Sequence, residues 1–404
     1  MVSGGSDMDC RNLSEVAVAC PSDDALVEIL SRVPAKSRFR FKCVSKPWCD
    51  LIADRLRCGK FPQTLEGFFF GGSSGNNFRH FVDLLGRPSP LVDASLSFLT
   101  ELLEIEKIDL LGSCNGLVLF GHRRVSDMYD SLGYIVCNPA TQQWAAVPSS
   151  GWTPFPLDDL DDERTCTYLI FDPAVSSHFQ LVQFKQDDEG VCLQFRRNND
   201  DDEGVAEVRT YSSESGVWSD RASEWGAHGW IVSYLGSALV NGMLHLMVGR
   251  DYEREDQIVA VDREGKKCRN IRWPKERGDI VFVGQSQGRL HCFSARINGT
   301  IEMAELSVWV LEDYDTEEWV LKHTVNFAHL SGKSDWPDVL NCYFVSIHPH
   351  CNLVFFVRNG SQKLVSYNMD NKEVRVLCTV GRDFECMTQY VPYFSAISVL
   401  AKKY

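Results

Sequence analysis

Residues 21–56 read PSDDALVEILSRVPAKSRFRFKCVSKPWCDLIADRL, and they predict three short helices that follow closely on one another. Ser22 is a candidate N-cap of the first helix, and the carboxylates of Asp23 and Asp24 suit the positive end of its dipole. Pro34 ends that helix, because the residue before a proline is driven out of the α conformation.

Apolar side chains recur along these helices at the spacing of one helical face. The first helix carries them at i, i+3, i+4 and i+7. The second helix is expected over residues 36–42, and Ser45 is a candidate N-cap of the third, with Pro47 tolerated in its first turn. The apolar set consists of Leu26, Ile29, Leu30, Val33, Phe39, Trp48, Leu51, Ile52 and Leu56.

This set holds more apolar surface than a unit of about forty residues can enclose. Two interpretations stay open on the pattern alone. The helices could form an ordinary subdomain that packs on the rest of the chain. They could also form a module whose remaining apolar surface belongs to a partner.

The same stretch resembles an F-box, in the form found in plants. Cys20, Arg38 and Cys49 depart from the pattern, which usually has a leucine, an apolar residue and a basic residue at these places. The matching residues run in order without a gap: Pro21, Asp23, Asp24, Leu26, Glu28, Ile29, Leu30, Ser31, Arg32, Val33, Pro34, Lys36, Ser37, Arg40, Phe41, Cys43, Val44, Ser45, Lys46, Trp48, Leu51 and Ile52.

The resemblance implies docking to a Skp-type adaptor and, through it, to the cullin of a ubiquitin ligase. The basic side chains of the stretch would suit an acidic adaptor, although they would equally suit a solvated helix face. The residues implied as adaptor contacts are Pro21, Leu26, Ile29, Leu30, Val33, Pro34, Phe39, Val44, Trp48, Leu51 and Ile52.

The composition limits the class of protein. The chain has 404 residues, of which 44% are hydrophobic, enough for a small module and one large domain. The net charge of −14 disfavours nucleic acid and anionic membranes as partners. The 15 cysteines form no CxxC pair, and the N-terminus shows no signal-peptide pattern, so we expect reduced thiols and a cytoplasmic or nuclear location.

From residue 65 onward, short apolar runs alternate with Gly, Asn, Asp and Pro, which is typical of strands and turns. Two half-units recur. In the first, a tight turn precedes an apolar run, as at Asn115-Gly116, Asn241-Gly242, Gln287-Gly288 and Cys351-Asn352. In the second, a strand and a polar turn lead to a strand that carries an aromatic residue, as at Trp144, Trp218 and Trp319.

Together the half-units predict a four-stranded blade whose aromatic residue packs between neighbouring blades of a β-propeller. Five units are visible, and the runs at residues 65–70 and 397–400 are candidate strands that close a sixth. An irregular β-sandwich with similar hairpins is the alternative. The acidic runs 158–163 and 199–203 lack the pattern of a calcium loop and predict solvated loops.

The segments SCNGLVLF (113–120), NPATQQW (138–144), FDP (171–173) and VNGMLH (240–245) resemble the kelch-type F-box-associated domain of plants. The expected fold is thus multi-domain, α plus all-β. A flexible N-terminus (1–19) precedes a three-helix F-box (20–60) and a six-bladed, kelch-like β-propeller (61–404).

The propeller region contains no glycine-rich phosphate-binding loop after a strand and no HExxH motif. His245 and His291 hold matching places in two repeats, for which a buried, hydrogen-bonded role is favoured over a metal site. We therefore expect no catalytic residue, metal or cofactor. The expected function is substrate recognition in a Skp–cullin–F-box ligase, with an unknown target protein on the propeller. The alternative is a glycan-binding or sugar-acting propeller with structural helices.

Overall fold

The computed structural model divides the chain into two compact units, Met1–Phe61 and Pro62–Tyr404. The structure describes residues 22–33, 37, 40–57, 65–72, 80–86, 92, 96–100, 105–124, 133–152, 163–187, 205–221, 230–249, 257–298, 302–326, 329–330, 342–358, 360–381, 384–395 and 397–400. The expectations for 1–19, for 158–162 and for 199–203 lie outside these residues, as do those for Pro21, Pro34 and Phe39.

The first unit is helical. Helix α1 spans Asp23–Ser31, a 3₁₀ turn spans Phe41–Cys43, and helix α2 spans Lys46–Arg57. Within the predicted second helix, Ser37 and Arg40 have helical backbone, and its bounds lie outside the described residues.

Both predicted N-caps are confirmed. The Ser22 hydroxyl accepts a hydrogen bond from the Ala25 amide at 3.4 Å, and the Ser45 hydroxyl accepts one from the Trp48 amide at 3.4 Å. Each cap satisfies a backbone donor that the first helical turn leaves without a partner. The caps therefore fix where both helices begin.

The described strands of the second unit form six antiparallel sheets, each of which is one blade of a propeller. Strands β1 (Gly67–Gly72) and β2 (His80–Asp83) come first, and the short helix α3 (Ser97–Thr100) follows them. Blade I holds β3 (Ile105–Cys114), β4 (Leu117–Arg124), β5 (Gly133–Asn138) and β6 (Gln143–Val147). Blade II holds β7 (Glu163–Ile170), β8 (Gln180–Asp187), β9 (Val205–Ser212) and β10 (Val217–Arg221).

The remaining blades continue in chain order. Blade III holds β11 (Trp230–Ile231), β12 (Ser237–Val240), β13 (Met243–Gly249), β14 (Gln257–Val261) and β15 (Lys267–Arg272). Blade IV holds β16 (Asp279–Ser286), β17 (Arg289–Asn298), β18 (Glu302–Asp313) and β19 (Glu318–Asn326). Blade V holds β20 (Cys342–Ile347), β21 (Leu353–Arg358), β22 (Lys363–Asn368) and β23 (Val374–Thr379).

Blade VI joins the two ends of the propeller. The C-terminal strand β24 (Phe384–Tyr390) pairs with β1, which pairs in turn with β2. In this register Gly67 lies opposite Tyr390 and Phe69 opposite Thr388. The ring of blades thus closes by hydrogen bonding between strands from its N- and C-terminal ends, and the predicted six-bladed propeller is confirmed.

The prediction that residues 397–400 close the ring as a strand is wrong. Ser398–Leu400 form a 3₁₀ turn, and the inner position of blade VI is held by β24. A 3₁₀ helix has about three residues per turn, so Ile397 and Leu400 point to one side. Both are buried in the cluster between blades I and II.

We call residues 391–395 and 397–400 the C-terminal strap. The strap follows β24 and lies against the turns of blade I. The Asn138 side-chain amide donates to the Tyr393 carbonyl at 2.7 Å, and the Gln143 side-chain carbonyl accepts from the Ile397 amide at 3.1 Å. The strap therefore links the closing blade to the first two blades.

Six apolar clusters fill the spaces between neighbouring blades, one for each pair around the ring. Trp144 is buried between blades VI and I, and Trp319 between blades III and IV. Trp218 is partly buried between blades I and II. The prediction that these aromatic residues pack between blades is confirmed, and the core is therefore a ring of six interfaces.

The predicted tight turns join the first and second strands of blades. At Asn115 and Gly116 the φ angles are 45° and 89°, so both residues lie in the left-handed region. Two consecutive positive φ values are typical of the hairpin turns that match strand twist, and Asn-Gly is the favoured pair for them. The Asn115 side-chain amide also donates to the Phe171 carbonyl of blade II at 2.7 Å.

Candidate functional site

The first unit has a small apolar core. Leu26 and Leu30 of α1 and Ile52 of α2 are almost completely buried against one another. The partly buried side chains around them are Val27, Phe41, Trp48 and Leu51. Three of the residues predicted as adaptor contacts therefore build the unit itself.

Two other predicted contacts point outward. Ile29 is 55% exposed and Val44, which lies between the 3₁₀ turn and α2, is 59% exposed. Ile29 lies about 100° around the helix from the adjacent Leu30, so it lies at the edge of the buried stripe of α1 although the spacing from Leu26 predicted it on that stripe. Large exposed aliphatic side chains on so small a unit are a candidate contact surface.

The remaining predicted contacts have intermediate exposure. Val33, Trp48 and Leu51 are half-buried, so each presents part of its side chain to solvent. Phe41 was not among the predicted contacts, yet its ring packs edge-on against Trp48 with the centroids 5.7 Å apart. The sequence signal for this pair is the match of both residues to the F-box pattern. Phe41, Trp48 and Leu51 therefore pack against the core of the unit with part of their surface open to solvent.

The exposed charges of the helical unit have both signs, since Asp23, Asp24 and Asp50 are exposed as well as Arg40 and Lys46. Arg32 forms an exposed ion pair with Glu28 at 2.5 Å, which offsets its charge. Arg40 and Lys46 are exposed, and burial lowers the pKa of Lys42. Of the basic residues predicted in the stretch, Arg32, Arg40, Lys42 and Lys46 are described, and Arg40 and Lys46 are the exposed ones outside the ion pair of Arg32 with Glu28.

His245 and His291, which hold matching places in two repeats, have backbone or tyrosine partners. His245 is completely buried; its Nδ1 lies 3.3 Å from the Ala238 carbonyl, and its Nε2 lies 2.5 Å from the Tyr314 hydroxyl. His291 Nδ1 lies 3.1 Å from the Arg289 carbonyl. The buried, hydrogen-bonded role predicted for these histidines is confirmed. Among the described residues, no three His, Cys, Asp or Glu side chains are grouped to hold a metal ion.

His245 gives the propeller a pH-dependent stability. Burial lowers the pKa of His245 from 6.5 to about 4. Between these values the unfolded chain binds a proton that the folded chain does not, so stability falls as the pH drops below 6.5. One such histidine accounts for about 2 kcal/mol at pH 5 and for nothing above pH 7.

When the pH is lowered from 7 to 5, we expect the free energy of unfolding to fall by about 2 kcal/mol less in the His245→Gln variant than in the wild type. Guanidinium chloride unfolding of the full chain at both pH values measures this difference. Equal losses in the two proteins would show that His245 does not titrate as its burial implies.

None of the described helices combines the length and the apolar character needed to cross a bilayer.

Comparison with known protein families gives two matches along the chain. Residues 22–58 match the F-box domain, and residues 89–395 match the family described as "F-box protein At3g26010-like, beta-propeller". The first match covers the helical unit with its exposed pair. The second covers most of the propeller and more than half of the chain.

Proteins from Arabidopsis thaliana are similar along most of their length. The F-box protein At5g49610 is 27% identical over 326 residues, covering 77% of this chain and 80% of that protein. The F-box protein At5g07610 is 22% identical and covers 94% of this chain and 89% of that protein. The putative F-box/kelch-repeat protein At4g22430 is 22% identical and covers 89% of this chain and 81% of that protein.

The kelch part of the prediction is supported only by the name of the last of these relatives, whereas the F-box and the propeller are both shown. With its N-terminal F-box and its matching propeller, the chain belongs to the F-box proteins that carry an At3g26010-like β-propeller.

Proposed function

We propose that this protein is the substrate-recognition subunit of a Skp–cullin–F-box ubiquitin ligase. The observation that carries the proposal is the exposed pair Ile29 and Val44 on a folded F-box. F-box domains generally bind Skp-type adaptors. In this proposal the chain performs no chemistry, and other subunits transfer ubiquitin.

The exposed pair Ile29 and Val44 forms only part of the proposed adaptor contact. Fully burying an aliphatic side chain contributes about 1.5–3 kcal/mol, and each of these two is already nearly half-buried. The pair therefore contributes about 2–3 kcal/mol together, less than the cost of association. The exposed parts of Val33, Trp48 and Leu51 are needed to extend the buried area.

The buried residues have a different part in this proposal. Leu26, Leu30 and Ile52 hold α1 and α2 together, which fixes the positions of Ile29 and Val44. A pre-formed surface loses less conformational entropy on binding than a flexible one. Pro21, Pro34 and Phe39 remain proposed contacts from the resemblance alone.

In this proposal the propeller binds the target protein and determines which target is recognised. Its blades are fixed by six apolar interfaces, and the loops of such a rigid scaffold are suited to recognition. The chain would act in the cytoplasm or the nucleus, where Skp-type adaptors and reduced thiols are expected together.

Size-exclusion chromatography of the full-length chain with a purified Skp-type adaptor tests the proposal. We expect the two to co-elute at micromolar concentration, and a cullin to join the complex only when the adaptor is present. Failure of the full chain to bind any Skp-type adaptor would remove the basis of the proposed function.

A further inference from the structure

A two-residue hairpin turn, Asn241-Gly242, joins β12 to β13 in blade III. Val240 pairs with Met243 across the turn. The φ angles of Asn241 and Gly242 are 53° and 74°, so both residues lie in the left-handed region that Asn-Gly turns adopt. Asn-Gly is also the sequence in which an asparagine is chemically least stable, because the glycine has no side chain to shield its backbone nitrogen.

The reaction to which this turn is open needs only the two residues, base and water. Base removes the proton of the Gly242 amide, and the nitrogen attacks the side-chain amide carbon of Asn241. The new carbon–nitrogen bond closes a five-membered succinimide, while the bond to the side-chain nitrogen breaks and ammonia leaves with a proton. Water then opens the ring at either carbonyl, which gives aspartate or isoaspartate, and no atom changes its oxidation state.

The structure leaves the Asn241 turn uncovered. Asn241 is exposed, and its side chain makes no hydrogen bond with a residue in the described part of the chain. A Cβ built on Gly242 would meet no atom within 4 Å beyond its chain neighbours, so nothing packs over the glycine. Closure of the succinimide at this turn therefore breaks no contact with the rest of the propeller.

The same dipeptide at Asn115-Gly116 of blade I is held by its surroundings. The Asn115 side-chain amide donates to the Phe171 carbonyl at 2.7 Å. Gly116 is buried, and a Cβ built on it would lie 2.4 Å from the Cβ of Tyr393 in the C-terminal strap. Ring closure there would have to break the hydrogen bond and displace the strap. Loss of one such hydrogen bond on the way to the reacting conformation slows a reaction by about tenfold.

Blade IV has the same turn with a more resistant residue. Gln287 and Gly288 have φ angles of 52° and 72°, and nothing packs over Gly288. The glutamine side chain is one methylene longer, so attack by the Gly288 nitrogen would have to close a six-membered ring, which forms far more slowly. Glutamine is therefore compatible with this turn and protects it from the reaction.

Isoaspartate at position 241 would lengthen the turn. The main chain then runs through the side-chain carbon, which adds one backbone atom between Val240 and Gly242. Turn length sets the register of a hairpin. Strand β12 has only four residues, and its Ala238 and Val240 are buried in the cluster between blades III and IV. A change of register therefore disturbs that cluster directly.

We propose that Asn241 is a site of spontaneous deamidation in the folded protein, and that isoaspartate formed there loosens β12 from the core between blades III and IV. The proposal is independent of the proposed function, because it concerns the chemical lifetime of the propeller itself. In the folded chain Asn241 is converted at least about tenfold faster than Asn115.

Incubation of the full-length wild type at mildly alkaline pH, sampled over time, tests this proposal. Peptide mapping by liquid chromatography and mass spectrometry separates the asparagine, aspartate and isoaspartate forms of each peptide. We expect both products at Asn241 and about tenfold slower conversion at Asn115. Asn298-Gly299 and Asn359-Gly360, each of which includes a residue outside the described ones, are measured on separate peptides.

The unfolded chain and one matched variant serve as controls. In denaturant Asn115 and Asn241 should react at similar rates, because the protection of Asn115 comes from the fold. Asn241→Gln places at this turn the residue that blade IV has, and it should abolish conversion at position 241. If Asn241→Gln fails to fold, Asn241→Gly takes its place, since glycine suits a positive φ.

Denaturant unfolding before and after the incubation tests the second part of the proposal. The wild type and Asn241→Gln should shift differently on incubation, with the wild type unfolding at the lower denaturant concentration. Conversion of Asn115 as fast as Asn241 in the folded chain, or no conversion of Asn241 while the unfolded chain reacts, would overturn the assignment of the site. Isoaspartate at position 241 with equal shifts in the two proteins would overturn the loosening of β12.

Discussion

The double variant Ile29→Glu/Val44→Glu is expected to bind a Skp-type adaptor at least about 100-fold more weakly than the wild type, while its helical unit stays folded. Both side chains are exposed, so glutamate at either place is solvated in the free protein. In a complex each carboxylate would be taken out of water without a partner, which is costly. Isothermal titration with the purified adaptor measures the loss, and circular dichroism checks the fold.

Two control variants show whether the loss of binding is specific to Ile29 and Val44. Val175→Glu makes the same change at an exposed valine of the propeller and should leave adaptor binding unaltered. Leu30→Asp should abolish binding for a different reason, because it places a carboxylate in the core of the unit and unfolds the unit. Adaptor affinity of the double variant within threefold of the wild type would exclude Ile29 and Val44 from the contact.

The variant Leu400→Ala is expected to lower the free energy of unfolding of the propeller by about 2–5 kcal/mol. Leu400 is completely buried at the end of the C-terminal strap, between blades I and II. The truncation leaves a cavity in that cluster and loosens the strap that follows the closing strand β24. Denaturant unfolding monitored by tryptophan fluorescence measures the change.

Leu321→Ala is the matched control, because it makes the same truncation at a leucine of β19 that is exposed. It should change stability by less than about 0.5 kcal/mol. Equal destabilisation by the two variants would mean that the strap contributes no more to the closed ring than a surface strand does.

Features set by neighbouring residues were predictable from the sequence. Ser22 and Ser45 cap helices through their own next turn, and Asn115-Gly116 adopts a turn for which its two residues are suited. The aromatic residues between blades, such as Trp144 and Trp319, followed from the same repeated pattern. For the caps and the turn, the cause and the effect lie within a few residues of one another, whereas for the aromatic residues the repetition of the pattern supplies the signal.

Features set by distant contacts were not predictable in the same way. Ile29 and Leu30 are adjacent aliphatic residues in one helix, and only the position of Ile52 on α2 decides which of them is buried. Residues 397–400 have the apolar character of a strand, but β24 already pairs with the edge of β1 at which they were predicted to add. The strap therefore packs as a turn and does not pair.

The 3₁₀ turn Ser233–Leu235, which separates β11 from β12 in blade III, was not predictable for the same reason. Its only local signal is Gly236, and one glycine in a strand pattern fits many explanations. The requirement for glycine comes from Val283 on the next blade, whose approach cannot be read from the residues around Gly236. Exposure of Tyr234 is likewise a property of the assembled ring.

Comparison of the wild-type chain and the Ile29→Glu/Val44→Glu variant in cells under proteasome inhibition tests whether the F-box links a protein bound by the propeller to a ubiquitin ligase. Each is captured by affinity tag, and its bound proteins and their ubiquitin content are quantified by mass spectrometry. We expect a protein that binds both forms equally through the propeller but is ubiquitinated only with the wild type, because only the wild type binds the adaptor and cullin. Equal ubiquitination of every bound protein in the two samples, or wild type captured without adaptor and cullin, would contradict it.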